Sequence, residues 1–124
     1  MLEANLSQTV EFYWWPRWST CRKARELLLQ NGLEVTERDF FQEAFTDNEI
    51  RTLATIVGTE NIFARRSPSL KKMGLADKEL SDDAMVNLML QEPKLVRRPL
   101  LKVGDKLWVG GSNAAVEAAI IEAK

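Results

Sequence analysis

The 124-residue chain has no histidine and one cysteine, Cys21. Without histidine, the commonest general base and metal ligand is missing. A zinc site built from one cysteine and no histidine is not expected, so no metal is assigned. No intramolecular disulfide can form, and the lack of a disulfide framework points to a reducing compartment. No stretch approaches the roughly 20 apolar residues of a membrane span. Met1 to Gln8 is polar and has no signal-peptide apolar centre. A cytoplasmic protein without membrane contact is the expectation. Charge of one sign is not in excess either. Seventeen basic residues against eighteen acidic ones leave a net charge of −1, which implies no overall pull toward nucleic acid. Repeats, low-complexity tracts and linkers are absent.

What is present suits one globular domain. Hydrophobic residues make up 45% and charged residues 28%, which excludes a disordered composition. At this size about 70% of the unfolded surface can be buried. Thr9 to Trp15 is β-branched and aromatic and stops at Pro16, reading as a buried first strand. Pro16 to Thr20 is a turn in which Ser19 and Thr20 can cap the orphan N–H groups of a helix. Ala24, Leu27, Leu28 and Leu29 give that helix an apolar stripe, and Asn31-Gly32 ends it. Glu34 to Phe40 alternates as a second strand, and the β-α-β order implies a parallel pair.

The middle of the chain reads as helical. Thr46 and Glu49 form a capping-box pattern that opens a helix running to Gly58. Pro68 begins a short helix ending at Met73-Gly74. Ser81 opens another helix carrying Met85, Leu88, Met89 and Leu90, closed by Pro93. These Met and Leu side chains read as core. Arg98 to Val103 and Lys106 to Gly110 flank Gly104-Asp105 as a hairpin. Ser112 or Asn113 then caps a last helix with Ala115, Val116, Ala119 and Ile120. The fold class that satisfies this order is α/β, with one mixed sheet of about four strands and helices on its faces.

The stretch Tyr13-Trp14-Trp15-Pro16-Arg17-Trp18-Ser19-Thr20-Cys21-Arg22-Lys23-Ala24 resembles the opening of the arsenate reductase–Spx (ArsC-like) family. Tyr13, Pro16, Arg22, Lys23 and Ala24 match its pattern. Ala64 to Leu75 is similar to the family's arginine loop and the helix after it. Leu80 to Pro93 looks like its next helix, and Leu95 to Leu101 with Val109-Gly110 looks like its Arg-Pro strand and hairpin. The resemblance spans nearly the whole chain in the right order. It implies a thioredoxin-like fold with a helical insertion. The core would be about residues 8–40 and 93–124, and the insert about 41–92. It also implies that Pro99 is cis and faces the active-site turn.

The departures from the family pattern bear on function. Trp18 stands where the reductases keep their leading nucleophilic cysteine, and Trp15 stands where asparagine or serine is common. Cys21 matches the second cysteine of the Spx-type C-x-x-C. Arg66 (or Arg65) and Arg98 match two of the three oxyanion arginines. The third is missing near Val109 to Gly111. These losses oppose the family's usual arsenate reduction.

Two functional expectations remain, beside a purely structural one. In one, Cys21 is a lone catalytic thiol of an oxidoreductase that exchanges with glutathione as co-substrate, with Arg66 and Arg98 binding glutathione carboxylates or a small oxyanion. Their alternative role is to pair with acidic side chains. In another, the chain is a non-catalytic binding or transcription-regulatory module of Spx type with a protein partner and no direct nucleic-acid contact. Trp15 and Trp18, which with Ser19 and Thr20 make up the active-site turn, would then form the contact, and Cys21 would be a small buried residue. Last, Trp15 and Trp18 can simply fill a vacated pocket.

Overall fold

The computed structural model describes residues 7–124. The polar start expected for the chain therefore falls, for residues 1–6, outside the described residues. The chain divides into two compact units. One holds the described residues up to Phe40 together with Arg98–Lys124, and the other is Phe41–Arg97.

The first unit contains a four-stranded mixed sheet. Its strands are β1 (Val10–Trp14), β2 (Val35–Asp39), β3 (Leu100–Val103) and β4 (Lys106–Val109), in the spatial order β2-β1-β3-β4. β1 pairs parallel with β2, with Val10 opposite Val35. This is the pairing expected when a helix carries the chain back across the sheet. β3 is antiparallel to both β1 and β4, with Phe12 opposite Leu101. The hairpin turns at Gly104, whose φ of 60° lies in the region that glycine enters without steric penalty.

Two helices of this unit, α1 (Ser19–Gln30) and α6 (Asn113–Ala123), share one apolar core with the sheet. Val10 and Phe12 of β1 and Leu101 and Val103 of β3 meet Ala24 and Leu28 of α1 and Val116, Ala119 and Ile120 of α6. Residues two apart on a strand share a face, so Phe12 and Trp14 lie together, their ring centroids 5.5 Å apart. Burying a leucine of the Leu28 kind contributes about 1.5–3 kcal/mol. The α1 stripe differs from its sequence reading. Leu29 is 42% exposed, and the buried positions are Cys21, Ala24 and Leu28. Their spacing of three and four keeps them on one side of a 3.6-residue helix, whereas Leu29 has rotated about 100° off that side.

The cap of α1 also differs. Ser19 and Thr20 are its first helical residues, and Trp18 is the N-cap, extended at φ −95° and ψ 122° with no side-chain cap bond. The chain bends into helix one residue earlier than the hydroxyls suggested. α6 follows its expectation, with Ser112 accepting from Ala115 N.

The second unit is mostly helical. α2 (Asp47–Val57) opens on the reciprocal Thr46–Glu49 capping box and stops at Gly58, whose φ is 95°. A short helix, α3 (Thr59–Ile62), follows directly and was not read from sequence. α4 (Pro68–Lys72) starts with proline, and α5 (Asp82–Gln91) is capped by Ser81. Met85, Val86 and Met89 are its buried face. After the 3-10 turn Pro93–Leu95, the chain stays with this unit. Ala64 N donates to Leu95 O, Phe63 bridges Val96, and Arg97 N donates to Ile62 O.

Candidate functional site: a tryptophan-covered turn over a buried thiol

The first unit brings together Trp15, Trp18, Ser19, Thr20, Cys21, Arg98 and Pro99. β1 ends at Trp14, and the chain turns through Trp15 to Trp18 to start α1. Trp18 N donates to Trp15 O at 3.0 Å, closing the turn. Arg22 Nη1 reaches back from the helix to donate to Pro16 O at 2.8 Å. Two hydrogen bonds thus hold the segment in one shape. The second was invisible in the sequence because it joins residues on different elements.

Pro99 opens β3 through a cis Arg98–Pro99 peptide. Gly111 packs beside it. A Cβ at Gly111 would collide with Thr20 Cγ2 and lie 3.2 Å from Thr20 O and 3.4 Å from Pro99 Cδ. Gly111 therefore permits the close approach of the β4–α6 loop to the first turn of α1. Its signal in the sequence is the Gly110-Gly111 pair that follows the last strand.

The Arg98 guanidinium lies over both tryptophans of the turn, 4.4 Å from the Trp18 ring centroid and 5.3 Å from that of Trp15. Such cation–π contacts are worth about 0.5–2 kcal/mol, depending on how dry they are. Trp18 is nevertheless 41% exposed, one of the large apolar side chains most open to solvent. Trp14 faces the other way, against the core, with Arg25 over its ring at 5.5 Å. Arg25 is also held by Glu37 at 2.8 Å.

Cys21 is fully buried. Loss of water around it pushes the thiol pKa up from its ordinary value of 9.0. A backbone hydrogen bond at Trp15 and the charges of Arg98 and Arg22 pull it down, but burial outweighs them. A buried thiol that holds its proton is a poor nucleophile, because the thiolate is the reacting form. One helical turn separates Cys21 from the position at which a side chain would face solvent at the helix start, and that position is Trp18.

Arg66 belongs to the second unit, where it is exposed in the loop before α4. Its neighbour Arg65, the other candidate for an anion-binding role, is committed within that unit. It donates to Lys78 O at 2.7 Å, pairs with Glu60 at 3.3 Å and lies over Phe63. Among the described residues, no group of three His, Cys, Asp or Glu side chains is placed to hold a metal ion.

A mixed β2-β1-β3-β4 sheet, a helix starting at the end of β1 and a cis-proline opening β3 define a thioredoxin-like α/β protein. The ArsC family profile matches residues 13–119, and the chain belongs to that family. Among its relatives, the regulatory protein MgsR of Bacillus subtilis (strain 168) is 32% identical over 107 residues, covering 85% of each chain. The global transcriptional regulator Spx 1 of Oceanobacillus iheyensis is 32% identical over 103 residues, covering 82% of this chain and 79% of the relative. The solved arsenate reductase from Vibrio cholerae has the same fold, with a TM-score of 0.79, 21% identity and coverage of 95% and 99% of the two chains.

Proposed function

We propose that this chain is a non-catalytic regulatory module that works through a protein contact at the tryptophan turn. The observation that carries this reading is the state of its one thiol. Cys21 is fully buried and its pKa is raised, while the position that would present a nucleophile holds Trp18. Thiol exchange with glutathione needs an attacking thiolate that a disulfide can reach. Burial denies the first requirement and the overlying turn denies the second. The names of the relatives support the same reading, since MgsR is a regulatory protein and Spx 1 a transcriptional regulator.

Deleting the gene in its host and restoring variants tests the proposal by transcript profiling. A changed profile in the deletion strain should be corrected by Cys21→Ser as well as by the parent chain, and should not be corrected by Trp18→Ala. If Cys21→Ser fails while its folded protein accumulates normally, the thiol is in use and the oxidoreductase reading takes over.

A further inference from the structure

From Phe12 to Arg25 the chain carries no acidic residue, but it includes Arg17, Arg22, Lys23 and Arg25. In a protein of net charge −1 this is a local reversal of sign. Arg25 is neutralised by Glu37. Arg17, Arg22 and Lys23 are exposed, and Arg22 is kept beside the turn by its bond to Pro16 O. Arg22 N donates to Trp18 O, which sets Arg22 one turn along α1 from the N-cap tryptophan. Arg98 lies over the Trp18 ring. The first turn of α1 holds no acidic side chain and no side-chain cap. By contrast, α2 and α5 each place two acidic residues there. The result is an exposed indole beneath the Arg98 guanidinium, at a helix start where Arg17, Arg22 and Lys23 are also exposed.

Resting on the regulatory reading above, we infer that this turn docks an acidic segment of a partner protein that carries an aromatic or large aliphatic residue. Tryptophan and arginine dominate the energetics of protein interfaces because they combine large contact area with directional polar groups. Guanidinium forks match carboxylates in shape and charge, and the indole offers a flat apolar platform for a partner side chain. A partner of mixed chemistry, acidic around an apolar anchor, satisfies both halves of the patch. Nucleic acid is disfavoured. Its binders show an extended basic face and a high isoelectric point, whereas this chain has a pI near 5.6 and a patch only one helical turn long.

A random peptide library displayed on phage and selected on the immobilised full chain tests the inference. The enriched peptides should place Asp and Glu around an aromatic or Leu. They should bind with the Trp18 indole N–H resonance shifted, and should weaken about tenfold or more in Trp18→Ala and in Arg17→Glu. Added salt should weaken them too. Lys71→Glu with Lys72→Glu, in the other unit, should leave binding unchanged. No enrichment, neutral or basic sequences, or peptides retained by both Trp18→Ala and Arg17→Glu would overturn the proposal. So would stronger binding of a short DNA duplex or of inorganic phosphate to the same patch. Circular dichroism of each variant separates lost binding from lost fold. Failure here leaves the Cys21→Ser complementation result standing, whereas failure of that experiment removes the regulatory reading itself.

Discussion

At Cys21, two opposing influences meet, and magnitude decides between them. The start of a helix and two nearby guanidinium groups favour a thiolate, yet complete burial outweighs them and the thiol keeps its proton. The sign for stability follows. The unfolded chain titrates near the ordinary 9.0, and the folded one titrates higher. Stability from this group is therefore complete below pH 9.0 and is lost as pH rises through the folded value. Urea unfolding at increasing pH should show the parent chain losing stability more steeply above pH 9.0 than Cys21→Ala does. Gly111 gives a second residue-scale prediction. Gly111→Ala must displace Thr20 or the loop and should destabilise by about 1–3 kcal/mol, as overpacking does, measurable by the same unfolding experiment. Trp18→Ala, at an exposed site, should change stability by no more than the loss of one cation–π contact, about 0.5–2 kcal/mol.

At the scale of elements, the strands and long helices were legible because each carries a local signal. The Thr46–Glu49 box, Pro68 at a helix start, and Ser81 and Ser112 as caps all act within four residues of themselves. Thr46→Ala should cost about 1 kcal/mol. Leu28→Ala, in the α1 stripe, should cost about 2–5 kcal/mol by opening a cavity. Calorimetry of both variants checks the order. What was not legible depends on contacts distant in sequence. α3 is four residues long, too short for a periodicity to appear. The Phe63–Val96 bridge joins residues far apart in the chain. The α1 cap moved to Trp18 because backbone dihedrals, set by the turn, decided the helix start rather than the hydroxyls of Ser19 and Thr20. The reading of Cys21 as a small buried residue holds, and spacing accounts for it, since Cys21, Ala24 and Leu28 fall on one helix face.

For the whole molecule, the mixed four-stranded sheet could be reasoned from the β-α-β pattern and the terminal hairpin, because few topologies satisfy both, whereas the order β2-β1-β3-β4 is a finding of the structure. The membership in the ArsC family follows from matches spread along the chain. The candidate site was legible as a list of residues but not as an arrangement. Nothing in the sequence placed Arg98 over Trp18, and nothing set how far burial would raise the thiol. Under the regulatory function proposed above, an ArsC-family fold survives here without thiol chemistry at Cys21. Alkylation of Cys21 by iodoacetamide in the folded protein, followed by mass spectrometry from about pH 6 to pH 10 across the ordinary thiol range, tests it most directly, with Cys21→Ser as blank. The account predicts no appreciable labelling in that range until denaturant unfolds the chain. Rapid labelling of the folded protein with an apparent pKa below 9.0 would contradict it.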